Sequence, residues 1–212
     1  MVARRVSFDS AVTTGRGDDG TTGLLYGGDR IAKDDPRTEA YGAVDEAVAA
    51  LGLARAVLIE WVDAGPIPPG LADFPGMIVR LQRELFVVGA ELATNPAARD
   101  RAEDGRTRVS TAMVEGLDGL LIATEAAIEM PREFVVPGET RVSAALELAR
   151  TIVRRAERRA VALARSDDPP GAELLAYLNR LADLLWVLAR AAEQAEARSA
   201  TPMRTGPRRR RA

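Results

Sequence analysis

Breaks rich in glycine, proline or polar residues cut this chain into five long segments in which apolar residues return every three or four positions. Little except packed helices satisfies such a pattern. The periodicity predicts helices from about Thr38 to Val62, Gly76 to Leu92, Thr111 to Met130, Arg141 to Arg165 and Ala172 to Ala197, with Thr38 as the first N-cap. In the fourth, the apolar stripe runs through Val142, Leu146, Ala149, Val153, Ala156, Ala160 and Leu163. Many alanines and only 4% aromatic residues let helices approach closely, and short breaks favour antiparallel neighbours. The expected fold is therefore all-α, a five-helix antiparallel bundle with a Gly-rich N-terminal loop. The bundle domain is expected over 13–197, between a flexible extension at 1–12 and a disordered basic tail at 198–212 that holds four consecutive arginines.

Composition narrows the chemistry. The chain has no histidine and no cysteine, which removes the usual ligands of zinc, copper and haem and every His-based triad. Carboxylates, Lys, Arg, hydroxyls, backbone amides, a hard cation or a borrowed cofactor are left. A net charge of −2 gives no push toward nucleic acid, and no apolar run reaches the ~18 residues of a membrane span. A cytoplasmic protein without nucleic-acid or membrane partners is the expectation.

Several places stand out as candidate sites. Thr14-Gly-Arg16-Gly17-Asp18-Asp-Gly20-Thr21-Thr22 has the chemistry of a phosphate cradle, with glycines that let amides converge and with hydroxyl and Arg16 donors. It lacks the G-x-x-x-x-G-K-[ST] of the common NTPases, and a flexible polar terminus is the competing reading. Lys33 and Arg37 add cations just ahead of the first helix, in what also reads as a turn capped by Asp34 or Asp35. In that helix Asp45 shares a row with Tyr41 and Val48, so it either serves the helix dipole or faces inward and needs a cation, for which Arg150 is the candidate.

The fourth helix carries five arginines in the ten residues from Arg150 to Arg159. Arg150, Arg154 and Glu157 lie at the border of its apolar stripe, where a cation needs an anion from a residue or a ligand. On the fifth, Asn179 is a weak helix former whose placement points to a side-chain hydrogen bond, and Arg180 with Asp183 reads as an i,i+3 pair. Phe134 and Trp186 read as core filling or as site aromatics.

Seven segments in order resemble the PduO-type corrinoid adenosyltransferases, over about residues 14–190. They are T-x-x-G-D-x-G-T-T (Thr14 to Thr22), K-x-D-x-R (Lys33 to Arg37), A-Y-G-x-V-D-E (Ala40 to Glu46), L-Q-x-x-L-F-x-x-G-x-x-L-A (Leu81 to Ala93), F-V-x-P-G (Phe134 to Gly138), A-R-T-x-x-R-R-A-E-R (Ala149 to Arg158) and L-N-R-L-x-D-L-L (Leu178 to Leu185). The resemblance implies transfer of the 5′-deoxyadenosyl group of ATP to cob(I)alamin, giving adenosylcobalamin and triphosphate, in a homotrimer with ATP between subunits. It implies that the N-terminal loop, Lys33 and Arg37 wrap the triphosphate with Mg²⁺, carried mainly by the phosphates. It places Arg150, Arg154, Glu157 and Asn179 at the nucleotide and pairs Asp45 with Arg150. Phe134 corresponds to the aromatic that displaces the lower ligand of the corrinoid, with Trp186 nearby. A cobalamin reductase and a cobalamin-dependent mutase are the implied partners.

This chain departs from that pattern at several positions. Gly15 stands where lysine is usual, Val48 for an asparagine, Glu139 for the second glycine after proline, Glu147 for a histidine and Ala182 for a serine. The lost lysine motivates an alternative, a non-catalytic nucleotide- or adenosylcobalamin-binding paralogue that carries cofactor to a mutase. A purely structural bundle, with Arg150 and Arg154 as surface charge, is the remaining rival.

Overall fold

The computed structural model describes residues 14–63, 72–165 and 169–203. Its elements are β1 (Thr21–Thr22), β2 (Ile31–Ala32), α1 (Pro36–Asp63), α2 (Phe74–Ala93), a 3₁₀ segment (Pro96–Arg101), α3 (Thr111–Ala126), β3 (Val135–Val136), α4 (Arg141–Ala164), α5 (Ala172–Ala195) and β4 (Thr201–Pro202). Five long helices form the bundle, as the periodicity predicts. α1 packs against α2 and α4, and α5 packs against α4 and α3.

Helix ends differ from expectation where a local bond decides them. α1 starts before Thr38 because Asp35 is the cap: its carboxylate accepts from the Arg37 amide at 2.8 Å and its carbonyl from the Glu39 amide at 3.1 Å. α2 starts at Phe74 with Pro75 in its first turn, where the missing N–H costs nothing. α3 stops four residues short of Met130. There the Glu129 amide donates to the Gln194 side chain at 2.9 Å, and the Glu129 carbonyl accepts from it at 2.6 Å, so that backbone is satisfied by α5 instead of by its own helix. α4 opens with a reciprocal capping box between Thr140 and Ser143.

The whole expected stripe of α4, from Val142 to Leu163, is buried. On α5, from Leu184 to Glu193 only Trp186 is not buried. The phenol of Tyr177, fully buried on α5, donates to Glu84 of α2 at 2.8 Å. Burial first and the Glu84 carboxylate second push its pKa well above the ordinary phenol value. Glu91 ties down two connections by accepting from the Val109 amide at 2.7 Å and the Gly171 amide at 2.8 Å.

Two small ribbons complete the fold. β1 and β2 pair antiparallel, and the loop between them is stitched to the end of α2 by Leu25 N–H to Ala93 O at 2.8 Å and Asn95 N–H to Leu25 O at 3.0 Å. β3 and β4 pair antiparallel, Val135 opposite Pro202 and Val136 opposite Thr201. Beyond α5 the chain at 201–202 thus lies on the strand edge at 135–136. The extension at 1–12, residues 64–71 between α1 and α2, and the arginine run at 208–211 lie outside the described residues. No helix among the described residues is long and apolar enough to cross a membrane.

Candidate functional site

Two groups of candidate residues form two separate clusters. The first is the N-terminal loop. Asp19 organises it: its carboxylate accepts from both the amide (2.9 Å) and the hydroxyl (2.7 Å) of Thr21. Those hydrogen bonds, with help from nearby Arg30, lower the Asp19 pKa below the ordinary carboxylate value. The brace is present above the ordinary aspartate range and is lost only as pH falls through that lowered value. Arg30 closes the loop from the other side, donating to the Thr21 hydroxyl at 2.7 Å, the Thr21 carbonyl at 2.9 Å and the Arg16 carbonyl at 2.8 Å.

Asp18 stands beside that brace but takes no part in it. It is exposed, its side chain has no partner among the described residues, and the bracing falls to its neighbour. Lys33 packs close to Gly17, since a Cβ there would come within 2.9 Å of the Lys33 ammonium and the lysine would have to move. Lys33 thus lies against the loop, and its amide bonds the Gly20 carbonyl at 2.9 Å. Gly15 has φ of 65°, a left-handed backbone that glycine adopts freely and lysine does not. The departure at position 15 therefore goes with its own local turn. Thr14, Arg16 and Gly20 are exposed, while Thr21 and Thr22 are half-buried.

Arg37 is placed differently from expectation. It is buried, and its guanidinium donates to the Leu92 carbonyl at 2.9 Å and the Thr94 carbonyl at 3.5 Å. It fastens the start of α1 to the end of α2, where four orphan carbonyls need donors.

The second cluster is a cavity of about 550 Å³ between α3, β3, α4 and α5, lined among others by Phe134, Glu147, Arg150, Arg154, Asp183 and Trp186. Four of the expected residues, Phe134, Arg150, Arg154 and Trp186, meet there. Phe134 is 81% exposed at the mouth, which excludes core filling. Its carbonyl accepts from the Met203 amide at 2.8 Å, just beyond β4. Trp186 is half-buried. Arg154 is exposed and has no partner among the described residues, whereas Arg150 is held by Glu147 at 2.6 Å. One turn farther along α4, Glu157 accepts from Asn179 at 3.3 Å, and Asn179 in turn accepts from Arg180 at 3.2 Å.

Two expected pairs are not formed within the chain. Asp45 does not pair with Arg150 within the chain. The buried stripe of α1 runs through Ala40, Ala43, Val44, Ala47 and Leu51, which turns Asp45 outward. Its neighbour Glu46 pairs with Arg155, and Arg150 finds the closer Glu147 one turn back on its own helix. Arg180 does not pair with Asp183 but reaches across to Asp118 on α3 at 2.8 Å.

Reading the sequence missed a buried chain of charge behind the cavity. Arg190 donates to both oxygens of Glu193, at 2.7 and 2.6 Å, and to Glu147 at 3.1 Å. Glu147 then holds Arg150. The side chains of Arg190 and Glu193 are 1% exposed and that of Glu147 is 4% exposed. The guanidinium of Arg190 also lies 5.6 Å from the centre of the Trp186 ring. The signal was present in Leu184-Leu-Trp-Val-Leu-Ala-Arg190-Ala-Ala-Glu193, where charges interrupt a run apolar on every side.

The two clusters do not touch within one chain. The β2 and α1 side of the loop lies beside Ala162 and Leu163, where Ile31, Asp35 and Arg37 help line a cavity of about 660 Å³. Arg154 is nine residues and Arg150 thirteen residues before Leu163 on the same helix. At 1.5 Å per residue that is roughly 14 to 20 Å along the axis.

A family model described as cobalamin adenosyltransferase matches residues 12–192. The corrinoid adenosyltransferase of Citrobacter freundii is 37% identical over 182 residues, covering 86% of this chain and 94% of that protein. The corrinoid adenosyltransferase of Mycobacterium tuberculosis H37Rv is 39% identical over 183 residues, 85% of this chain and 88% of that one. Among solved structures, a variant PduO-type ATP:corrinoid adenosyltransferase from Lactobacillus reuteri complexed with cobalamin and ATP superposes with a TM-score of 0.77 at 28% identity, covering 92% of this chain and 99% of that one.

Proposed function

The chain belongs to the cobalamin adenosyltransferase family, and from that membership we propose that it transfers the 5′-deoxyadenosyl group of ATP to a reduced corrinoid, releasing triphosphate. The observation that carries this reading is the meeting of Phe134, Trp186, Arg150 and Arg154 around one cavity. Co(I) of the corrinoid substrate is itself a strong nucleophile, so no catalytic base is needed and a chain without histidine suffices. Attack on the 5′ carbon of ATP forms the Co–C bond and breaks the C–O bond, and the electron pair leaves with triphosphate. The protein's task is to orient the two substrates and to neutralise the charge that gathers on the leaving oxygens. Arg150 and Arg154 supply positive charge at the cavity. The loop amides near Gly17 and Gly20, with Thr21, Thr22 and Lys33, supply donors at the other cluster. Phe134 and Trp186 form an apolar wall that excludes water and a lower ligand from the face of the corrin.

Two further elements belong to the proposal. Since the loop and the arginines sit apart on one chain, the triphosphate is bound between copies, in a homotrimer, and Asp45 is free to pair across that boundary. Mg²⁺ enters on the phosphate oxygens. No group of three or more carboxylates able to cage a cation occurs among the described residues, while Asp18 is exposed and unpartnered beside the loop. A cobalamin reductase supplies the Co(I) form and a cobalamin-dependent mutase consumes the product.

The test is an anaerobic incubation of the protein with cob(I)alamin, ATP and Mg²⁺. One adenosylcobalamin and one triphosphate are expected for each Co(I) lost. ATP binding without turnover would instead favour the carrier reading.

A further inference from the structure

We propose that Glu147, Arg190 and Glu193 are positioning residues that fix Arg150 and Trp186 for adenosyl transfer. This rests on the reading of the cavity given above and asks what holds its walls. Three of the four charged groups in the chain are almost wholly out of water: Arg190 and Glu193 at 1% exposure and Glu147 at 4%. Burying such groups is costly, and apolar residues of similar volume commonly stabilise a core as well or better. Stability is therefore a poor reason for them. Their geometry supplies a better one.

Glu193 grips Arg190 with both oxygens, 2.7 and 2.6 Å from Nε and Nη2. That leaves Nη1 of Arg190 to meet Oε1 of Glu147 at 3.1 Å, and Oε2 of Glu147 to meet Nε of Arg150 at 2.6 Å. Glu147 thus divides its two oxygens between a buried arginine and the arginine at the cavity wall. The same Arg190 guanidinium packs over Trp186. One buried side chain is therefore linked to both a cationic and an aromatic wall of the same cavity.

Arg154 provides the contrast. It lines that cavity too, yet it has no partner among the described residues. An untethered arginine loses much rotamer freedom when it engages an anion, whereas a tethered one has already lost it. Arg150 is therefore preset and Arg154 is recruited. Glu147 is one turn before Arg150 on α4. A carboxylate there brings the negative charge that lets two arginines share one junction.

The test is a double-mutant cycle on purified full-length protein with Glu147→Gln, Arg150→Ala and the two combined, measuring kcat and KM for ATP. Gln keeps the shape and an acceptor for Arg190 but removes the charge that holds Arg150. Glu147→Gln is expected to lower kcat by about ten-fold, and the double variant to fall within about two-fold of Arg150→Ala alone, because residues acting through one another are not additive. In a Trp61→Phe background, Trp186 fluorescence is expected to shift in Arg190→Lys, which loses the planar group over the ring.

Wild-type kcat in Glu147→Gln, losses that multiply in the double variant, or unchanged Trp186 emission would overturn this inference alone. Full activity in Arg150→Ala would overturn the reading of the cavity and this inference with it. Should Glu147→Gln not fold, Arg190→Lys carries the same cycle, since it keeps the buried charge and loses the two-pronged grip. The same outcomes then decide.

Discussion

Replacing Arg154 with alanine is expected to lower kcat by about 10²–10³-fold while leaving the fold intact, the loss typical when one donor to a developing negative charge is removed. The two halves of this expectation come from different facts. Arg154 is exposed and makes no hydrogen bond or ion pair among the described residues, so truncating it should move stability by no more than about 0.5 kcal/mol. Its guanidinium nevertheless stands at the cavity that holds Phe134, Trp186 and Arg150. An exposed arginine in water contributes little, but one closed in by substrate and a second copy acts in a medium where charge is poorly screened. A steady-state assay with a parallel melting curve separates the two effects. Unchanged kcat would make Arg154 an ordinary surface charge, as in the structural-bundle reading.

The largest effect on stability is expected at Arg190. Arg190→Ala would leave Glu193 without its donors and Glu147 with only Arg150, all in a nearly dry interior. Removing one member of a buried ionic group costs about 3–5 kcal/mol, because the remaining charge stays buried without compensation. For a chain of this length that corresponds to a fall in Tm of about 6–20 °C, compared at one protein concentration because the proposed assembly would also shift Tm. Denaturant unfolding of wild type and variant measures it. A loss below about 1 kcal/mol would mean that the group is hydrated or loosely packed, and the tethering of Arg150 would lose its basis.

The architecture was legible because it depends on repetition. The stripe of α4, from Val142 to Leu163, recurs seven times, so a single ambiguous residue could not hide it. Helix ends were less legible because each depends on a single bond, such as Gln194 capturing the Glu129 backbone from 65 residues away. The cavity residues were found partly from their position at the edge of a stripe and partly from the resemblance. The charges behind them were missed for a definable reason. Arg190 and Glu193, three residues apart, have the spacing of a solvated surface pair, the reading given to Arg180 and Asp183. Only the near-complete burial of α5 from Leu184 to Glu193, against the half-buried Arg180 and exposed Asp183 a few residues earlier, separates the two cases, and that burial is a property of the assembled bundle. Asp45 shows the converse. Its row on α1 was right, but whether that row faces a partner helix or the outside depends on where α4 lies.

The most direct measurement mixes two defective proteins. Lys33→Ala removes a cation from the loop and Arg154→Ala removes one from α4, and each alone is expected to be nearly inactive. If the triphosphate lies between copies, unfolding and refolding the two together in equal amounts should restore activity to about one site in four, the fraction in which random pairing joins an intact loop to an intact arginine. If both groups serve one site within a single chain, the mixture would be no more active than its parents, and the proposed convergence of loop and arginines across a subunit boundary would be contradicted.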